Sequence, residues 1–333
     1  MLDDFSLPTI MLERIGLAVK GKIPALRPDL IGKYFVYRWI TTRSDKAHHF
    51  LNAVWRKPGF TAAFFERMLR DYEYLLNQTP CYWKLLFPSD FCVSGEDSLL
   101  YTALIVNAIG LCSSVEECNR LCTLLEQSCY TFPERPEITI QFANGLVNLS
   151  SKQDEQGTIW TVERIELLSE KYPAMMGITV AFAKGLFNLS CEQEVMSVQQ
   201  TIRRLENLVD KHPDVTEIAV AYAKSLINLS LNQDRIGKKQ TIERLGNLVG
   251  RYSKSQQIAV KFAKGLCILS KDADEKDCLR AVDLLKQLTK QYSNDQTIKK
   301  MYTKSLVNFE LSKWSQSAQL NAEVLAIHDR LPM

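Results

Sequence analysis

A short block returns at a fixed step along the chain. FANGLVNLS starts at Phe142, FAKGLFNLS at Phe182, YAKSLINLS at Tyr222, FAKGLCILS at Phe262 and YTKSLVNFE at Tyr302, each start 40 residues after the one before. A second block keeps the same step: TVERIELLSEKYP from Thr161, TIRRLENLVDKHP from Thr201, TIERLGNLVGRYS from Thr241 and AVDLLKQLTKQYS from Ala281. A degenerate copy precedes them at 101–104 and 115–133, and a truncated copy follows near 322–332. Self-similarity of this period marks an array of stacked supersecondary units, each unable to bury its apolar face alone.

Both blocks have helical spacing. Ile138, Phe142, Leu146 and Leu149 recur every three to four residues, with Ala143 and Val147 widening the stripe. Val162, Ile165, Leu168 and Tyr172 do the same in the second block, and Pro173 and Pro213 stop that helix in two copies. Small residues recur in mid-helix at Gly145, Gly185, Ser225, Gly265 and Ser305. Glycine there costs about 1 kcal/mol relative to alanine, so its repetition implies a close helix–helix approach. The expected fold is all-α: a helical-hairpin solenoid over 96–333 behind a small, mainly helical domain over 1–95. The array resembles a tetratricopeptide-like solenoid. It exceeds that family's 34-residue repeat by about six residues, which the sequence places in the loop between the two helices, 151–157 in the first full copy.

Composition narrows the function classes. With 14 Gly and 11 Pro in 333 residues the chain is neither collagen-like nor a turn-rich all-β protein. No apolar run is long enough for a membrane span, and the acidic Met1–Asp4 start is unlike a basic signal-peptide leader. A net charge of +3 gives no argument for nucleic acid. The nine cysteines include no C-x-x-C pair. Cys118 and Cys122 lie one helical turn apart, near Cys112 and Cys129, but without knuckle spacings they read as reduced packing residues of a cytoplasmic protein rather than zinc ligands.

The first segment differs from the array. It is rich in Trp and Phe, and up to Lys57 it carries ten Lys/Arg against five Asp/Glu. Helices are expected over 7–19 and 60–76. Within it, RPDLIGKYFVYRWI (Arg27–Ile40) is similar to the motif that follows the ATPase core in bacterial STAND-type NTPases, signal-transducing ATPases with a winged-helix region. Pro28, Asp29, Gly32, Tyr34 and Phe35 match, and Lys33 stands where that family usually has an acid. The segment Phe50–Asp71 resembles the helical continuation of that region, and the repeats resemble the sensor arrays that end such proteins. The resemblance implies a winged-helix-like remnant over 1–95 and a sensor solenoid, from the C-terminal portion of an antiviral receptor or a detached sensor.

Catalytic motifs are few. Gly16–Ile23 matches G-x-x-x-x-G-K but places Ile23 where the Mg²⁺-binding hydroxyl belongs. It has no strand pattern before it, and Pro24 and Pro28 follow. The neighbours His48 and His49 diverge by about 100° on a helix, His212 stands in a column with Tyr172, Tyr252 and Tyr292, and His328 is isolated. The N-x-S triplets at Asn148, Asn188 and Asn228 fall at helix ends and read as accidental glycosylation signals. One constellation remains. Equivalent positions give Asn144, Lys184, Lys224, Lys264 and Lys304, and four residues on they give Asn148, Asn188, Asn228, Ile268 and Asn308. Positions i and i+4 share a helical face. Lysine ammoniums beside asparagine amides suit carboxylates, a pairing that resembles the carboxylate clamps of tetratricopeptide domains. The alternative is that Asn secures the neighbouring repeat and Lys solvates the polar face.

The sequence therefore reads as a protein-recognition module without cofactor or metal. Its candidate partner-binding residues are Lys184, Lys224, Lys264, Lys304, Asn188, Asn228 and Asn308. The partner is a viral or other protein bound on the solenoid surface, with room for oligomerisation through the first domain or through an NTPase region. The alternative is a generic tetratricopeptide-like scaffold that binds a host peptide. The purified chain is expected not to hydrolyse ATP; turnover that disappears in Lys22→Ala would overturn this.

Overall fold

The computed structural model describes residues 30–42, 46–78, 81–89, 95–193, 195–272 and 274–328. The expected helix over 7–19, the glycine–lysine segment at 16–23, and Arg27, Pro28 and Asp29 lie outside the described residues. Among the described residues the fold is all-α, with no strand. The chain divides into two compact units, residues 1–152 and 153–333.

The first unit contains α1 (Leu30–Thr42), α2 (Ala47–Val54), α3 (Pro58–Asp71), α4 (Glu73–Gln78), α5 (Cys81–Leu86), α6 (Ser98–Leu111), α7 (Val115–Thr131) and α8 (Pro136–Ser150). Pro58 opens α3 where its missing N–H has no intrahelical use. The single helix expected over 60–76 is broken at Tyr72, whose φ of −114° and ψ of 16° end α3. Trp55, Phe65, Trp83, Phe87 and Tyr101 form an aromatic core, with Trp55 edge-on to Tyr101 at 5.3 Å. Lys33 is only 7% exposed and pairs with Asp71 of α3. This buried ammonium is thus matched by an acid on the neighbouring helix. Helices α6 to α8 form a packed group, and Asn77 fastens its first turn by donating to the Leu111 carbonyl at 2.9 Å and accepting from the Ser113 N–H at 2.8 Å.

The second unit contains α9 (Glu155–Lys171), α10 (Met176–Glu192), α11 (Val195–Lys211), α12 (Thr216–Leu231), α13 (Arg235–Arg251), α14 (Gln256–Asp272), α15 (Glu275–Gln291) and α16 (Gln296–His328). The FAKGL blocks lie on α10, α12, α14 and α16, here called A helices; the TIERL blocks lie on α9, α11, α13 and α15, the B helices. Each A helix packs on the next A helix, and α11, α13 and α15 each pack against the A helices before and after. This is the stacked-hairpin arrangement that the 40-residue period demands. The expected long loop between A and B helices is absent. Residues 232–234 alone join α12 to α13, and Gly157 lies inside α9. The extra length resides in the helices, with α10, α11 and α13 each 17 residues long.

Repeated polar contacts fix where each B helix begins. Asp154, Asp234 and Asp274 cap the N-termini of α9, α13 and α15, accepting from the N–H of Gly157, Gly237 and Asp277 at 2.8–2.9 Å. Just before the cap, the side-chain oxygens of Gln153, Gln193 and Gln233 accept from the hydroxyls of Thr161, Thr201 and Thr241, each at 2.7 Å. Helices approach closely at the small-residue column. A Cβ on Gly265 would lie 2.4 Å from Cδ1 of Ile242 and 3.2 Å from Cδ1 of Ile227, and one on Gly145 would lie 2.5 Å from Cδ1 of Leu125. Where the column holds serine, its buried hydroxyl meets another from the preceding A helix: Ser225 and Ser190 are 3.0 Å apart, and Ser305 and Ser270 are 3.1 Å apart.

Ionic rungs join successive B helices. Arg204 of α11 reaches Glu166 of α9 at 2.7 Å, with its guanidinium 5.3 Å above the Phe182 ring. One repeat later Arg244 of α13 reaches Glu206 of α11 at 2.6 Å and lies 5.7 Å above the Tyr222 ring, while the Tyr222 hydroxyl donates to Glu206 at 2.9 Å. Burial pushes the Glu206 carboxyl up, but the hydrogen bonds from Arg244 and Tyr222 and the Arg244 charge outweigh it, so Glu206 titrates below its ordinary 4.5.

These contacts set the cost of three substitutions. Gly265→Val is expected to destabilise the array by roughly 1–3 kcal/mol through overpacking. Gly246→Ala, whose Cβ would meet the Phe262 ring at an ordinary 3.4 Å, is expected to gain about 0.5–1 kcal/mol of helix propensity; urea denaturation measures both. Because the folded-state pKa of Glu206 is depressed, its contribution exists above the unfolded value and is lost as pH falls through the folded one. Glu206→Gln should therefore cost about 0.5–1 kcal/mol at neutral pH, a value kept small because the pair is partly exposed. The difference from wild type should shrink towards zero below the ordinary value of 4.5; a pH-independent difference would reject the rung as its source.

Candidate functional site

The polar face of the A helices carries the lysine column. Lys184, Lys264 and Lys304 are exposed and Lys224 is half-buried, its ammonium 5.3 Å above the Phe187 ring. They occupy equivalent positions on the stacked α10, α12, α14 and α16, so the 40-residue period becomes a line of charge. The structure adds lysines to this line. Lys261 lies one turn from Lys264 on α14; burial and the neighbouring charges of Lys224 and Lys264 push its ammonium below the ordinary lysine value. Lys300 lies one turn from Lys304. With Lys271, these two line an open cavity of about 570 Å³ that also touches Cys267, Val307 and Asn308.

The charges of the two helix layers are managed differently. On the B helices, Arg204, Arg244, Arg251, Arg235 and Lys239 all reach carboxylates of neighbouring B helices or of the turns that start them. Asp277 is only 8% exposed, and hydrogen bonds from Arg235 and Lys239 hold its carboxyl below its ordinary value. Among the described residues no ion pair ties Lys184, Lys224, Lys261, Lys264, Lys271, Lys300 or Lys304 to a carboxylate. Seven ammoniums on one layer therefore share solvent and one another. Such a surface raises the local concentration of anionic partners and disfavours cationic ones.

The asparagine column serves the array itself. The Asn228 amide donates to the Cys191 sulfur at 3.0 Å and the Asn308 amide to the Ser270 hydroxyl at 2.9 Å. In the first unit, Asn148 likewise donates to the Val106 carbonyl at 2.9 Å. Each bond runs to the preceding A helix, so these amides set the stacking register. Asn188 lies half-buried at the same register on α10. Ile268 interrupts the column on α14.

Sequence reasoning found the four lysines that repeat at the 40-residue step and missed Lys261, Lys271 and Lys300. Their equivalents one repeat earlier are Ala221, Leu231 and Val260, so no column points to them. The signal was helical spacing: 261 to 264, 264 to 271, and 300 to 304 each return to one face. Among the described residues the cysteines hold no comparable site. Cys112, Cys118 and Cys122 are buried, with the Cys118 thiol aimed at the Ile109 and Cys112 carbonyls. Among the described residues no three His, Cys, Asp or Glu side chains come together as metal ligands. Among the described residues no helix is long and apolar enough to cross a membrane. No family model, curated protein or solved structure matches the chain.

Proposed function

We propose that the chain is a protein-recognition module, the sensor portion of a bacterial STAND-type antiviral receptor, which binds an acidic surface of a viral protein in the cytoplasm. The observation that carries the reading is a contrast between layers: Arg204, Arg235, Arg244 and Arg251 of the B helices each reach a carboxylate of a neighbouring repeat, while Lys184, Lys224, Lys264 and Lys304 of the A helices reach none among the described residues and are left to an external partner. Recognition rather than catalysis accounts for a long repeated surface of this kind, since stacked hairpins present one side chain per repeat to an extended ligand. The resemblance of Arg27–Ile40 to the STAND-type motif supports the assignment to antiviral defence, and the matched Lys33–Asp71 pair accommodates its one charge departure.

The test is a comparison of pull-downs from infected and uninfected cells using wild-type protein and Lys224→Glu/Lys264→Glu. An acidic protein retained only from infected cells should bind the double variant at least tenfold more weakly, roughly 1.4 kcal/mol. The change at exposed Lys264 should stay within about 0.5 kcal/mol, and circular dichroism of the double variant checks that the change at half-buried Lys224, beside Phe187, leaves the helices intact. Binding to wild type should also weaken as salt shortens the screening length from about 10 to 3 Å. A partner held equally by both proteins would move the binding surface away from the lysines. A partner retained equally from uninfected cells would instead favour a scaffold that binds a host peptide.

A further inference from the structure

The Arg–Glu rungs between B helices stop at one place, between α13 and α15, which are joined instead near their starts by Arg235 and Lys239 on Asp277. The carboxylate of Glu166 and Glu206 is replaced 40 residues on by Gly246, and the guanidinium of Arg204 and Arg244 is replaced by Leu284. In the two preceding repeats a guanidinium covers the aromatic ring of the A helix, Phe182 or Tyr222. In this repeat the corresponding ring, Phe262, instead lines an open cavity of about 370 Å³. The cavity lies between α13 and α15 over α14. Its floor is formed by Ile242, Phe262, Leu266, Leu269, Ala281 and Leu284. This size falls at the lower end of ligand-binding cavities, and its make-up, an apolar floor with a few charged groups, is theirs as well.

The edge of the cavity decides what fits. Lys239 and Asp277 also line it, but they are bonded to each other at 3.0 Å. Glu243 on α13 and Arg280 on α15 are exposed cavity-lining charges of opposite sign, and among the described residues neither takes part in an ion pair. A ligand with one large apolar group between an anion and a cation therefore complements the whole site. The apolar group would remove the floor from water, the anion would meet Arg280 and the cation Glu243.

We propose that this cavity is a second recognition pocket, on the opposite helix layer from the lysines, which takes a large apolar side chain of a peptide flanked by an acidic and a basic residue. The pocket exists because the array gives up one rung: Gly246 and Leu284 together are shorter than the Glu and Arg they replace, and the space left opens over an aromatic ring. The proposal does not depend on the sensor reading or on the lysine face.

The probes are capped tripeptides, Asp-Phe-Lys and Lys-Phe-Asp, with Gly-centred counterparts as controls, titrated to roughly millimolar concentration because one anchor gives weak affinity. Methyl resonances of Ile242, Leu266, Leu269 and Leu284 report binding. A Phe-centred peptide should shift these methyls and the Gly-centred peptides should not. Gly246→Glu/Leu284→Arg rebuilds the missing rung and should weaken binding by at least about tenfold while helicity is retained. Leu284→Phe, which fills the space without adding charge, should do the same if the rebuilt rung fails to fold. Lys224→Glu/Lys264→Glu should bind the peptides as wild type does, which separates this pocket from the lysine surface. Absence of shifts at these methyls, equal shifts with the Gly-centred peptides, or undiminished binding in the filled variants would each overturn the proposal.

Discussion

The array depends on the close approach of each A helix to the helices stacked before it. At Gly265 the space for a Cβ is already taken by the methyls of Ile242 and Ile227, and at Gly145 by that of Leu125. A side chain at this point would push neighbouring helices apart, and the displacement would be passed along the stack because each hairpin buries its apolar face only against its neighbours. Glycine in mid-helix is intrinsically costly; the contact it permits offsets that cost. Serine satisfies the same constraint by another route, with Ser225 and Ser305 each meeting a buried hydroxyl of the preceding repeat. The asparagine bonds from Asn228 to Cys191 and from Asn308 to Ser270 then fix the register of the stack.

Once the stacking is fixed, the two layers take on different electrostatic roles. Side chains of successive B helices come within reach of one another, so Arg204 finds Glu166 and Arg244 finds Glu206 across a sequence separation of 38 residues. Among the lysines of the A helices, the Lys261 ammonium is depressed first by burial and then by the neighbouring charges of Lys224 and Lys264. The same repeated scaffold thus yields B helices tied by ionic contacts between repeats and a column of A-helix lysines with no such contact among the described residues. Regular placement makes the second layer suited to an extended acidic surface, since each repeat contributes a similar increment.

The last full repeat departs from the others in several linked ways. Gly246 and Leu284 remove an ionic rung, and Ala281 replaces the threonine that clasps glutamine in the three earlier copies. The start of α15 is held instead by a denser cluster in which Arg235 and Lys239 both bond Asp277. The stack therefore keeps its connection at the end of the B helix while opening a cavity further along it. Loss of one polar contact and gain of another leave the hairpin in place and create a recess over Phe262.

Much of this was legible in the chain itself. The period, the all-helical class, the small-residue approach and the buried stripes followed from local spacing, because a helix maps sequence separation directly onto a face. The length of the connections was misread, since an Asp cap followed closely by Gly157 resembles a loop until the cap is seen to start a helix. The Lys and Asn columns were both visible as residue types, but their roles separated only in three dimensions. Whether a polar group is free depends on partners some 35 to 40 residues away, and one-dimensional spacing does not state which side chains those helices bring within 3 Å. For the same reason the Gly246 and Leu284 substitutions read as ordinary variation in the sequence. The sequence determined that hairpins stack and with what period, because that is set by local apolar patterning; the tertiary structure decided which charges are neutralised and where a cavity opens, because both depend on the pairing of side chains between repeats.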